Sequence, residues 1–292
     1  MSRVLVTGSE GFIGKKAVER FREDGHDVFT LDVLGSGKQH FVVDLVGDDL
    51  QRLFEECRPE LVIHTAAQTD VSKSFEDPLR DFQINALGTL NLLLACQKIK
   101  TFVYLHSGGA VYDSSANLPL TEESNEFPIS PYGASKRAAE DLVRIICEKY
   151  SISWASLALS NVYGNVSENP KGVIYQFWRN LKSNEACEIN GPNVTRDFVY
   201  VEDVVEAIVL ASRAKLNTRL NISSGQEISL IELYNLICKV MGMGGVPILL
   251  EERKGDVTRS CLSNVRAKSL LNWTPKTSLS QGLSKSLRPE SR

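Results

Sequence analysis

The 292-residue chain is 42% hydrophobic and 24% charged, and its 33 Lys and Arg against 36 Asp and Glu give a formal net charge of -3. Such a length supports one large domain or two modest ones around an ample core. Interleaved, nearly balanced charge excludes a nucleic-acid or anionic-membrane footprint, and no apolar stretch reaches the length of a membrane span.

Met1-Ser2-Arg3 leads straight into Val4-Leu5-Val6, which reads as a first strand and not as a signal peptide. The strand run over 3–7 is followed by Gly8-Ser9-Glu10-Gly11-Phe12-Ile13-Gly14, and a helix pattern begins at Lys15. Gly8 suits a tight turn off the strand, Gly11 lets backbone approach a pyrophosphate, and Gly14 lets the helix lie close on the sheet. Phe12 and Ile13 stand between these glycines, where a helix N-terminus favours an anion. A second strand over 28–31 ends in Asp32. A carboxylate there accepts hydrogen bonds from an adenosine ribose and repels a 2′-phosphate, which favours NAD over NADP.

The alternation of strand and helix continues, as in a doubly wound parallel sheet. A third strand over 40–43 ends in Asp44-Leu45, and a fourth over 61–64 ends in Ala66-Ala67. Asp44 either meets an adenine amino group or is a solvated loop acid. The two alanines either let a cofactor pass closely or reflect ordinary tight packing. A helix over 81–98 carries Asn85 near its start, and a strand over 101–105 ends in His106-Ser107-Gly108-Gly109. His64 and His106 also stand at strand ends, where structural roles are expected of them.

Pro131-Tyr132-Gly133-Ala134-Ser135-Lys136 opens an amphipathic run over 137–150, so Tyr132 and Lys136 share a helix face at i and i+4. A phenol titrates near 10, and an ammonium held beside it favours the phenolate. The pair suits removal and return of an alcohol proton, with the Ser107 hydroxyl placed to bond the reacting oxygen.

A sixth strand over 152–159 leads to Ser160-Asn161-Val162-Tyr163-Gly164, and there the tidy alternation fails. Shorter elements follow: a helix over 173–180, strands over 187–190 and 195–200, and a helix from Glu202-Asp203 to 211. The last third reads as a strand at 220–222, a helix over 230–241, a strand at 246–250 and a helix over 265–271, with a frayed tail from Ser284. The expected fold is α/β: a doubly wound parallel Rossmann sheet over 1–159 and a smaller, discontinuous α/β substrate domain over 160–292. Segments near 196–225 are expected to return to the first unit. The six cysteines and four histidines are dispersed without a CxxC pair. Free buried thiols, a reducing cytoplasm and no metal site are therefore expected.

Taken together these residues resemble the extended short-chain dehydrogenase/reductase family, in particular its NAD-dependent nucleotide-sugar epimerases and dehydratases. The matching positions run in family order over about 3–280: Gly8/Gly11/Gly14, Asp32, Ala66-Ala67, Asn85, Ser107, Tyr132/Lys136, Asn161-Val162-Tyr163-Gly164, Arg196-Asp197-Phe198-Val199-Tyr200-Val201 with Asp203, and Arg253 with Gly255-Asp256-Val257. The resemblance implies bound NAD, with Tyr132 as base and Lys136 holding the nicotinamide ribose. It also implies a substrate domain in which Asn161, Arg196, Arg253 and Asp256 clamp a nucleoside diphosphate sugar, the arginines supplying paired donors to the diphosphate. It implies a homodimer through the helices over 81–98 and 137–150.

Dehydratases of the family place an Asp-Glu pair beside the Ser/Thr, and decarboxylases a Glu. This chain has Ser107-Gly108-Gly109-Ala110-Val111-Tyr112, without such an acid. That favours simple oxidation and re-reduction over dehydration, and the resemblance implies epimerisation at C4 of a hexose, most of all a UDP-linked one, with a one-way reductase or dehydrogenase of the same fold as the alternative. An intact Tyr132/Lys136 pair argues against a non-catalytic scaffold. Two departures stand out: the usual Ser/Thr position falls on Gly108, and Ala158 occupies a place where many members carry arginine.

Overall fold

The computed structural model describes residues 1–113, 115–251 and 257–287. Arg253 and Asp256 lie outside the described residues. Twelve short strands are found among those described: β1 (Arg3–Thr7), β2 (Asp27–Asp32), β3 (His40–Val42), β4 (Leu61–His64), β5 (Thr101–Ser107), β6 (Ser153–Leu159), β7 (Asn161–Tyr163), β8 (Glu188–Asn190), β9 (Thr195–Tyr200), β10 (Asn217–Ile222), β11 (Glu227–Ser229) and β12 (Ile248–Leu250).

Seven of them form one parallel sheet in the order β10-β6-β5-β4-β1-β2-β3. The chain winds outward from β1 in both directions, so the order reverses between β1 and β4, where ligands of such sheets bind. Alternate residues of each strand feed two cores. Val4, Val6 and Ile63 pack beneath helices α1 (Phe12–Glu23) and, later in the chain, Val201–Arg213. Leu5, Val62 and Phe102 pack on the other side, with Leu92 and Val143. Burial on both faces explains why these strands read as continuous apolar runs.

The remaining helices are α2 (Leu50–Cys57), α3 (Val71–Glu76), α4 (Pro78–Phe82), α5 (Gly88–Ala95), α6 (Gly108–Val111), α7 (Pro131–Lys149), α8 (Gly172–Lys182), α9 (Val201–Arg213), α10 (Leu230–Met241), α11 (Val265–Leu271) and α12 (Leu279–Ser286). Two smaller sheets, β11-β9-β7 and β12-β8, share a third core with α8, α10 and α12 around Phe177, Ile189 and Leu233. β10 pairs with β6 in the large sheet, and α9 packs against α1, so chain beyond residue 200 crosses back to that sheet.

Two expectations are corrected, and one element went unanticipated. The helix expected over 81–98 starts earlier, where Pro78 takes the first turn and the Asp77 side chain accepts from the Arg80 amide at 2.9 Å. It passes through a π turn at Gln83–Leu87 and ends at Ala95. The tail is not frayed at Ser284: Ser278 and Gln281 form a capping box for α12, and Leu283, Ser286 and Leu287 are buried. A helix also forms at 50–57, where the Asp49 side chain caps the Gln51 amide.

Candidate active site

A cavity of about 850 Å³ opens at the carboxyl ends of β1, β2, β4, β5 and β6. Gly8, Gly11, Phe12, Ile13 and Gly14 line one part of it. Gly8 has φ +69°, and a Cβ there would stand 2.5 Å from the Ala66 amide nitrogen. A Cβ on Gly14 would fall 2.0 Å from the Gly8 carbonyl oxygen, so the helix start lies against the strand end only because both side chains are absent. The first amides of α1, which lack intrahelical carbonyl partners, are therefore brought to the cavity wall.

Asp32, Asp44, Leu45, Ala66 and Ala67 also line the cavity. Asp32 is held in place by the Glu10 amide at 2.9 Å and the Val33 amide at 2.8 Å. Asp44 is not an isolated loop acid: it accepts from the Val46 amide at 2.9 Å and pairs with Arg80 at 3.1 Å. The Val46 amide and the Arg80 guanidinium lower its pKa against a smaller opposing effect of burial. Arg80 itself lines the cavity, as do Glu168 to Lys171, tethered to α1 by a Lys16–Glu168 pair at 3.3 Å. No motif signalled either contribution, because the short helix α4 and the loop over 168–171 meet the cavity only after folding.

Ser130 caps α7 by accepting from the Gly133 amide at 3.1 Å, and Pro131 takes the first helical position. A Cβ on Gly133 would meet the Ala110 carbonyl oxygen at 2.2 Å, so this turn presses directly onto the segment after β5. The approach places Tyr132 within hydrogen-bonding reach of Ser107. Tyr132, Lys136 and Ser107 all line the cavity that the glycine turn lines. Ser107 ends β5, one residue before the expected Ser/Thr position. A Cβ at Gly108 would meet Leu262 Cδ1 at 2.5 Å, so a larger residue there would need that leucine to move, and it is the hydroxyl one residue earlier that reaches the phenol.

Burial pushes the Tyr132 phenol up to about 12; the Ser107 hydrogen bond opposes this and the Asp81 carboxylate adds to it. Burial pushes Lys136 down to about 7, against Asp81 and Glu140, which hold it up. The Lys136 ammonium donates to the Leu105 carbonyl oxygen at 2.9 Å and sits 4.3 Å above the Tyr104 ring, without a hydrogen bond to Tyr132. Its expected acidifying contact with the phenol is thus not present in this arrangement.

His64 is structural, bonded at Nδ1 to Thr7 (2.7 Å) and at Nε2 to Thr89 (2.9 Å). Burial and then Lys136 push it down to about 3. His106, pushed down to about 4 chiefly by burial, lies 3.5 Å from Glu140 Oε1. Three expected site residues do not line the cavity. Asn85 is buried, its side chain engaged with Gln68, Asp81 and Ser135. Asn161 is exposed at the start of β7, and Arg196, on the neighbouring β9, donates to the Thr195 carbonyl at 2.8 Å.

The model of the NAD dependent epimerase/dehydratase family matches residues 4–223. The chain belongs to this family. It is 40% identical to a Methanocaldococcus jannaschii relative over 96% of this chain and 95% of that protein. It is 36% identical to the UDP-glucose 4-epimerase of Mycolicibacterium smegmatis, over 98% and 97% of the two chains. Its fold superposes with a TM-score of 0.93 on the Thermotoga maritima UDP-glucose 4-epimerase solved with UDP-glucose, at 34% identity and 97% coverage of both chains.

The chain is thus an enzyme of an NAD-dependent, nucleotide-sugar epimerase-like family. Its residues fit that cofactor. The close packing at Gly8 and Gly14, which a Cβ would disrupt, brings the free backbone amides at the start of α1 to the cavity wall, where a pyrophosphate would be held. Asp32, fixed by two backbone amides at the end of β2, suits the adenosine ribose. Among the described residues no cluster of His, Cys, Asp and Glu is arranged to hold a metal, and no helix is long and apolar enough to cross a membrane.

Proposed function

We propose that this protein is a UDP-hexose 4-epimerase. The observation that carries the reading is one cavity holding the glycine cradle together with Tyr132, Ser107 and Lys136, without a carboxylate anywhere in 107–112. Bound NAD supplies the hydride acceptor and later donor at C4. Tyr132, as phenolate, takes the C4 hydroxyl proton, and Ser107 holds the same oxygen by hydrogen bonding. Lys136, one turn along α7 in the same cavity, would hold the nicotinamide ribose, and its charge there favours the phenolate without direct contact. The resulting 4-keto sugar would turn over in the cavity, and Tyr132 would return the proton to the C4 oxygen when the ketone is reduced on its other face. With no second acid beside Ser107, elimination of water lacks its catalyst, and oxidation followed by re-reduction remains.

The lobe built on the two smaller sheets is the substrate side of this reading, with Asn161 and Arg196 on adjacent strands as contacts for the sugar and diphosphate. Arg253 and Asp256 are assigned to the same clamp from the sequence. The test is incubation with UDP-glucose or UDP-galactose, without added cofactor, followed by proton NMR. Interconversion of the two is expected. Stoichiometric consumption of added NADH would mark a one-way reductase instead.

Helices α4, α5 and α7 leave Leu79, Phe82, Leu94 and Ile145 exposed. We read this as the contact of a homodimer. Sedimentation velocity at micromolar concentration should give a species of twice the chain mass; monomer alone would exclude the dimer.

A further inference from the structure

Asp81, on α4, is 1% exposed, yet every group that touches its carboxylate is neutral. Ser135 Oγ lies 2.5 Å away, Gln68 Nε2 2.7 Å and Asn85 Nδ2 3.2 Å. Among the described residues its oxygens join no ion pair. A buried carboxylate without a cation is costly to keep ionised. Lys136 mirrors it: 3% exposed, its ammonium meets a backbone carbonyl and the face of Tyr104, but no carboxylate. Ser135, which donates to Asp81, immediately precedes Lys136 on α7.

We infer that Asp81 is the counter-charge of Lys136, a positioning residue whose carboxylate is fixed by Ser135, the neighbour of Lys136 on α7, and by Asn85. It matters to catalysis on the reading of Tyr132 and Lys136 as the proton-transfer pair. Direct contact would draw the ammonium away from the phenol and occupy its donors. A carboxylate fixed behind a screen of neutral donors still attracts through the low-dielectric interior and leaves those donors free for the cavity.

The other charges facing Lys136 do not fill this role. Glu140, one turn on in α7, has both oxygens taken by Arg219 of β10, which also meets Glu126. On β5, burial pushes Tyr104 far up and His106 down to about 4, so both are neutral at pH 7. On β4, His64 is held down at about 3. Tyr132 shares the helix face and is neutral as a phenol. Asp81 is the negative charge here without a cation of its own, and it is the foremost group opposing the fall of Lys136.

Removal of a nearby negative charge makes proton loss from an ammonium easier. Asp81→Asn should therefore move the Lys136 titration, read by NMR of the lysine side chain, to lower pH by about one unit or more. The alkaline limb of the turnover profile, where the ammonium loses its proton, should move the same way. An unchanged Lys136 titration in a folded Asp81→Asn protein overturns the inference and leaves Asp81 a structural bridge. Should that variant not fold, carbon NMR of the wild-type Asp81 carboxyl decides: ionised at pH 7 supports the inference, protonated overturns it. The titrations need no turnover, so a shifted Lys136 in a protein that interconverts no nucleotide sugar overturns the epimerase reading alone.

Discussion

Tyr132→Phe should lower the rate of sugar interconversion by about 1,000-fold or more, the scale of a lost general acid–base group. NAD content of the purified protein and thermal stability should stay close to wild type. The ring fills its place in both proteins, and the phenol oxygen has one partner, Ser107, whose loss costs about 1 kcal/mol. A phenol held near 12 by burial is almost entirely protonated at neutral pH. On the proposed reading the phenolate would be favoured by the Lys136 charge in the same cavity and by the positive charge that NAD would bring. Turnover is measured by NMR progress curves, bound NAD by absorbance after denaturation. A variant keeping more than about a tenth of wild-type rate would remove Tyr132 from the reaction, far outside the expected range.

The large sheet was legible because its strands carry a local signal: apolar runs buried on both faces, each ended by a small or polar residue. The glycine turn was legible for the same reason, since Gly8 and Gly14 answer to contacts within 60 residues of chain. What escaped was set by tertiary packing. The helix over 50–57 looked polar until its buried Leu50, Leu53 and Cys57 met the sheet. Arg80 reaches the cavity by pairing with Asp44, 36 residues earlier, at a spacing no motif encodes. Gly108 showed as a departure from the family pattern, and the side chain packed against it, Leu262, lies 154 residues away. Asn85 matched a family position, yet whether its side chain lines the cavity or braces Asp81 and Ser135 depends on helix rotation, which spacing alone does not settle.

Arg219→Leu should destabilise the protein by about 3–5 kcal/mol at pH 7, the cost of stranding one member of a buried ion pair. Glu140 is 6% exposed, and Arg219 donates to its Oε1 at 2.7 Å and also to its Oε2. The guanidinium lies 5.5 Å over the Tyr112 ring and meets Glu126 as well; its loss strands Glu140 and uncovers a packed face, while Glu126 keeps its pair with Arg137 at 2.7 Å. A drop of roughly 10 °C in melting temperature corresponds to that energy for a chain of this size. The pH dependence gives the prediction its sign. Burial opposes ionisation of Glu140, but His106 and Arg219 outweigh it and hold the acid at about 2. His106 is itself neutral at pH 7, so the guanidinium is the charge that acts there. In the wild type the pair's contribution is present above the unfolded value of about 4.3 and fades as pH falls toward about 2. In the variant burial wins, Glu140 titrates above its unfolded value, and acid relieves the stranded charge. The stability gap between the two proteins should therefore narrow as pH falls from 7 to 5. Calorimetric melts across that range test it; a gap of under about 1 kcal/mol at pH 7, or one that widens in acid, would contradict a buried charge pair as its origin. Arg219→Leu combined with Glu140→Leu should recover much of the loss, because an apolar replacement of both partners leaves no charge without a counter-ion.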